Sequence, residues 1–287
     1  MKSHLRMESS LHRYRGILHP AAGIGKFRLE RYWPSADVGY FVERYWIVRW
    51  NLPEGEEHLQ ETLPNPCVNL VVERGRSAVY GVAPGRTARL LKGEGCAFGV
   101  KFRPGGFYPF LKAPVTALRQ RPLPLEDLFG PSALELEEEL LSLEDGAAMV
   151  ERAEAFLRHR MPERDERVEW VNRVVDAIVE DPAGVNVEDL AAGFGVSPRT
   201  LQRVFRTYVG AGPKWVIMRF RLQEAVAQLD SGHRDWTRLA ADLGYFDQAH
   251  FVREFKALVG KAPTEYVRAK WTPSAAEEKE MASARRI

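Results

Sequence analysis

The sequence predicts an α+β chain: a mainly-β N-terminal sandwich or barrel-like domain with helices, then an all-α domain holding two helix-turn-helix units joined by a long linker helix. Three observations predict it. Short runs rich in aromatic and β-branched residues, cut by turn signals, fill the stretch from Gly39 to Phe102. Apolar residues at helical spacing take over beyond Ala133. Near the C-terminus one pattern occurs twice. Leu201, Arg203, Phe205, Arg206, Gly210 and Pro213 form the first copy; Phe251, Arg253, Phe255, Lys256, Gly260 and Pro263 repeat it fifty residues on.

Bulk properties set the frame. The 287 residues suffice for two ordinary domains, and 45% hydrophobic with 28% charged residues favours a globular chain over a disordered one. A net charge of +2 means that any basic surface is local. Two cysteines, Cys67 and Cys96, fit a reducing compartment and leave a single disulfide open. The opening MKSHLRMESS lacks an apolar core, and no long apolar run occurs, so neither a secretory signal nor a membrane span is expected and the location is read as cytoplasmic.

Residues 1–30 are too mixed to assign. Strands are expected at Phe41–Trp50, Cys67–Glu73, Ser77–Val82 and Cys96–Phe102, antiparallel in a sandwich or small barrel. Arg103-Pro104-Gly105-Gly106 breaks the sheet and leads into a helix, and Arg121–Pro131 reads as a connector. Helices follow at Ala133–Leu143, Gly146–Arg160 and Val168–Glu180, with polar Met161–Arg167 between the last two. The expected division is a regulatory or sensor-like domain over 1–131, a helical connector and dimer-contact candidate over 132–165, a reading domain over 166–271 and a flexible tail over 272–287.

Each repeat unit reads as a supporting helix, a tight turn and a second helix. In unit one Val187–Phe194 supports, Ala191 is small enough for a close crossing, and Gly195 supplies the turn through positive φ. Ser197 caps the second helix and Pro198 opens it. Leu201, Val204, Phe205 and Tyr208 form its apolar stripe, which leaves Arg199, Gln202, Arg203 and Arg206 outward. Arginine can fork onto guanine O6/N7 and glutamine can pair with adenine N6/N7. In unit two Trp236–Leu243 supports, Ala240 is the small contact, Gly244 turns, and Gln248, Ala249, His250, Arg253 and Lys256 lie outside buried Phe251 and Phe255. Gly210 and Gly260 end the second helices, and Pro213 and Pro263 open the next.

The stretches VEDLAAGFGVSPRTLQRVFRTYVGAGPKWV and LAADLGYFDQAHFVREFKALVGKAPTEYVR resemble the two halves of the AraC/XylS-type DNA-binding domain, with Arg221-Leu222-Gln223-Glu224-Ala225 similar to its linker helix. The run Gly244-Tyr245-Phe246-Asp247-Gln248, then His250-Phe251-x-Arg253-x-Phe255-Lys256, follows the family signature; Phe246 stands where a small residue is usual. The resemblance implies bacterial transcription control: two recognition helices in successive major grooves on one face of double-stranded DNA. It carries base reading onto Arg199, Gln202 and Arg203 in unit one, and onto Gln248, Ala249, His250 and Arg253 in unit two. RNA polymerase is the protein partner it implies, and a monomer or homodimer both fit.

The N-terminal half is more loosely similar to a cupin-like sensor domain that precedes such units, through LPNPCVNLVVE and GVKFRPGGFYPFL. By analogy this implies a small-molecule effector. The dense aromatics here, Tyr45 and Trp46 among them, fill a core or line a small-barrel pocket. Arg103 beside Pro104-Gly105-Gly106 faces an acidic ligand group or a surface carboxylate, which makes the three candidate ligand contacts. A metal cupin needs His-x-His with a later acid and histidine. Here His4, His12, His19 and His58 are scattered, so neither metal nor cofactor is expected. Pro66-Cys67 resembles the start of the Pro-Cys-His-Arg site of alkyl-accepting regulators, but Val68-Asn69 follows where the activating His-Arg would stand. No enzyme is therefore expected. The alternatives are a constitutive DNA-binding regulator, whose N-terminal domain serves dimerisation or protein contact only, and, less favoured, a DNA-repair alkyl acceptor.

Overall fold

A computed structural model describes residues 16–18, 23–119, 121–233 and 235–270. The expected tail at 272–287, the opening MKSHLRMESS, and His4, His12 and His19 lie outside the described residues.

Strand alternation organises the N-terminal half. Six strands, β1 (Arg28–Tyr32), β2 (Val42–Asn51), β7 (Glu94–Phe102), β4 (Asn69–Glu73), β5 (Ala78–Tyr80) and β8 (Leu123–Pro124), lie in that order in one antiparallel sheet. A separate two-stranded antiparallel sheet pairs β3 (Glu57–Thr62) with β6 (Thr87–Lys92). Side chains alternate across a strand. Along β2, Tyr45 and Ile47 therefore enter one core, with Phe98, Val100 and Phe102 of β7. Trp46, Val48 and Trp50 face the other way, toward Leu91 of the two-stranded sheet. Trp46 pairs with Gly99 and Trp50 with Gly95 across the sheet. A Cβ on Gly99 would lie 1.9 Å from the Trp46 indole, and one on Gly95 would lie 2.1 Å from the Trp50 indole, so both glycines clear space for an aromatic ring.

Helices close the first core. After the short α1 (Tyr108–Leu111) come α2 (Leu125–Phe129), α3 (Ser132–Ser142) and α4 (Gly146–Arg158). Leu125, Leu136, Leu140, Met149, Phe156 and Leu157 pack on the sheet. The segment 132–165, read from sequence as a helical connector, thus contributes to the same core as the strands. Buried Glu154 ties the β1–β2 loop down, accepting from Ser35 N at 2.8 Å and Ser35 Oγ at 2.7 Å.

The sequence reading missed β1, β3, β6 and β8, and treated α2 as part of a connector. RLERY has three charged residues in five, and EHLQET and TARLLK have two in six each, because most of their positions stay exposed or only partly buried. Their composition resembles a loop; pairing with a neighbour makes them strands.

The C-terminal half is helical: α5 (Glu166–Glu180), α6 (Val187–Gly193), α7 (Pro198–Tyr208), α8 (Pro213–Asp230), α9 (Trp236–Asp242), α10 (Gln248–Val259) and α11 (Pro263–Lys270). One core gathers Val168, Val171, Val174 and Ile178 of α5 with Leu190, Leu201, Phe205 and Val216. A second gathers Leu222, Val226 and Leu229 of α8 with Leu239, Phe251, Phe255 and Tyr266. The two cores meet along α8.

Candidate DNA-binding surface

In unit one α6 begins at Asn186, whose Oδ1 accepts from Asp189 N at 2.8 Å. Leu190 and Ala191 are buried on its inner face. Gly195 takes φ +68°, and Val196 N then returns to Ala191 O at 2.9 Å, fixing the turn. Ser197 caps α7, its Oγ accepting from Thr200 N at 3.1 Å, with Pro198 in the first turn. Leu201, Phe205 and Tyr208 are buried. Arg199, Gln202, Arg203 and Arg206 are exposed and, with Ser197, Thr200 and Thr207, line one shallow hollow. Among the described residues no carboxylate pairs with any of the three arginines, so their donors are open to an anion or a base edge.

Unit two repeats this frame with a different surface. Asp235 caps α9, accepting from Arg238 N at 3.0 Å. Gly244 takes φ +72°, and Tyr245 N returns to Ala240 O at 2.9 Å. A Cβ on Gly244 would meet Ala183 O at 2.5 Å, so glycine is needed here for space as well as for sign of φ. Asp247 Oδ1 caps α10, accepting from His250 N at 2.6 Å. Gln248, Ala249, Arg253 and Lys256 are exposed. His250 is half-buried, 3.2 Å from Glu254 and edge-on to Tyr245. Glu254 therefore occupies one side of this histidine, and the α10 face is less cationic than that of α7.

Comparison with known proteins joins this geometry to a family. Residues 190–269 match the family described as "Helix-turn-helix domain", and residues 30–124 match "Domain of unknown function (DUF6597)". The chain is 32% identical over 92 residues to the regulatory protein SoxS of Escherichia coli, covering 32% of this chain and 84% of that one. It is 31% identical over 106 residues to a putative AraC-like transcription regulator of Streptomyces lividans, covering 34% of this chain and 35% of that protein's length. The chain belongs to the AraC-type family of transcription regulators. It spans about a third of the length of the Streptomyces relative. It also aligns with ToxT from Vibrio cholerae O395 over 87% of this chain and all of that one, at 13% identity and a TM-score of 0.37, too loose a likeness to argue from.

Within this AraC-type domain two arginines of α8 that sequence reading did not single out act as ties, one between the units and one to the N-terminal half. Arg221 on α8 donates to Pro182 O at 2.6 Å, Val185 O at 2.9 Å and Ala183 O at 3.1 Å, all on the loop before α6, and to Gly244 O at 3.3 Å in the unit-two turn. One guanidinium thus bridges both units. Arg219 is fully buried and faces the N-terminal half. It donates to Pro64 O, to Asn65 Oδ1 at 2.8 Å and to Gln223 Oε1. Burial pulls its pKa down to about 10, which leaves it charged at neutral pH. The sequence carried a signal: Arg219 lies on the stripe of Val216, Leu222 and Val226, where a charge is out of place.

Other contacts join the halves. Arg86 N donates to Leu258 O at 3.1 Å, and the Arg86 side chain pairs with Glu61. Tyr108 and Tyr208 rings lie 4.1 Å apart, and Tyr40 Oη donates to Asp165 O at 2.8 Å.

The three expected ligand contacts are not brought together. Tyr45 and Trp46 are neighbours on β2 and point to opposite faces of the sheet. Tyr45 is fully buried, and Trp46 lies across Gly99. Arg103 is exposed and donates to Gly39 O at 2.7 Å. A different cleft, of about 1240 Å³, opens between the ends of β2 and β7 and the α3–α4 turn; Arg28, Glu30, Arg49, Trp50, Cys96 and Asp145 help line it. Both cysteines are free thiols, and burial pushes the Cys67 thiol pKa up, which disfavours the reactive thiolate. Among the described residues no cluster of three His, Cys, Asp or Glu side chains is placed to hold a metal, and no helix is long and apolar enough to cross a membrane.

Proposed function

We propose that this chain is a sequence-specific, double-stranded-DNA-binding transcription regulator without enzymatic activity, which sets α7 and α10 into adjacent major grooves. The observation that carries the reading is the α7 face: three unpaired arginines and a glutamine on a helix whose cap, turn and core are fully built. Ser197, Arg199, Gln202, Arg203 and Arg206 are assigned to DNA in unit one, and Gln248, Ala249, His250, Arg253 and Lys256 in unit two. Ala249 offers only an apolar contact and His250 is engaged by Glu254, which supports a second unit that leans more on phosphates and DNA shape.

The domain assignment follows: a regulatory half, and a reading domain over 166–271 whose linker helix the regulatory half grips. The proposal includes modulation by a small molecule bound to the N-terminal half, supported by the cleft and by the direct contact with α8. RNA polymerase is the protein partner this reading implies, and the cytoplasm its place of work.

Selection from a random duplex library with the full-length protein tests it. A defined site should emerge, and Arg203→Ala should weaken binding to that site by about 1–3 kcal/mol and relax one base position. Recovery of no preferred sequence would refute the reading.

A further inference from the structure

The two units differ by one residue in their turns. The glycines of the turns correspond, because Val196 N and Tyr245 N make the same return bond to Ala191 O and Ala240 O. The first buried residues of the second helices, Leu201 and Phe251, also correspond. From Gly244 to Phe251 the chain is one residue longer than from Gly195 to Leu201. Unit one goes from Val196 straight to its cap Ser197; unit two places Phe246 between Tyr245 and its cap Asp247.

The extra residue has no structural work. An apolar residue just before a helix cap commonly packs on the fourth helical residue and fixes the entry of the chain. Here Tyr245, two residues before the cap, packs on that residue instead, its ring 5.3 Å from Phe251 and almost fully buried. Asp247 supplies the cap. Phe246 is 95% exposed, the most exposed large apolar side chain among the described residues; Ile24 follows at 75%. With Tyr245 turned inward, the next residue of an extended turn points out, at the N-terminal end of α10. That end of a recognition helix meets base edges when a helix-turn-helix docks.

We propose that Phe246 is a specificity-determining DNA contact that reads a thymine C5-methyl group in the unit-two half-site. This rests on the DNA-binding reading above. The neighbouring chemistry fits: Ala249 extends the apolar tip, while Asp247 and Glu254 keep positive charge low there. An apolar surface facing the major groove has one apolar partner among the base edges, the thymine methyl.

The test uses the full-length protein on the duplex it selects, with thymines of the unit-two half-site replaced one at a time by deoxyuridine, which removes only the methyl. Wild type should lose about fourfold in affinity at one position, the worth of one buried carbon. Phe246→Ala should bind the thymine duplex roughly tenfold more weakly and show no further loss with deoxyuridine. Its melting temperature should match wild type, since the ring is unpacked, and Phe246→Leu should recover part of the affinity. Equal affinity of wild type for every deoxyuridine duplex, or unchanged binding by Phe246→Ala, would overturn the assignment while leaving Arg203 and the DNA-binding reading intact. Loss of transcriptional output by Phe246→Ala with unchanged DNA binding would also overturn it, in favour of a protein partner. If wild type selects no site, the DNA-binding reading itself fails and this one with it.

Discussion

Arg219 ties the linker helix to the N-terminal half. Its guanidinium is removed from water and has only neutral acceptors, a carbonyl, an asparagine and a glutamine. Such a group stays buried because its donors are used; removing it strands Pro64 O and leaves a hole beside α8. Arg219→Ala should lower unfolding free energy by about 2–4 kcal/mol, read from denaturant titration. A change below 0.5 kcal/mol would mean that the contact contributes no stability. Gly195 acts by conformation alone. It sits at φ +68° with open space around it, so a side chain there meets strain and not a clash. Gly195→Val should cost about 1–3 kcal/mol, with DNA specificity retained by the folded fraction. A variant that melts like wild type but fails to bind DNA would contradict the structural role.

At the scale of elements, α8 spans both units. Its 18 residues give a helix about 27 Å long. Val216 joins the first core and Leu222, Val226 and Leu229 the second, while Arg221 holds carbonyls from each unit. Proline at Gln223 removes a backbone bond in the helix interior and clashes with the preceding turn, at a cost of about 3 kcal/mol or more. Gln223→Pro should therefore uncouple the units, leaving the unit-one half-site footprinted without the other. A full footprint from that variant would show that the linker does not set the spacing. The helical half was legible because its signals are local: a cap at Ser197, turn glycines at 195 and 244, and apolar stripes of period 3.6. The strands were legible where aromatic and β-branched residues cluster, as in Val42–Asn51. EHLQET and TARLLK become strands through each other, a long-range pairing that no local pattern encodes. The outward side of α7 could be read from spacing. The grip of Arg219 on Asn65, 154 residues away, could not.

For the whole molecule, both units rest on the N-terminal half. Tyr40 and Tyr108 meet unit one, Leu18 and Leu63 join the core of unit two, Arg86 reaches Leu258, and Pro64-Asn65 holds the linker between them. Under the proposed two-groove reading, a change in that half would act on the relative placement of α7 and α10. Successive major grooves on one face lie about 34 Å apart, more than the length of α8, so bent DNA or a looser second unit is expected. The most direct test is chemical footprinting of the full-length protein on its selected duplex. Two protected major-groove windows should appear on one face about one helical turn apart, the first lost in Arg203→Ala and the second weakened in Arg253→Ala. A single window, or two windows that both survive these substitutions, would contradict the claim that α7 and α10 read DNA together.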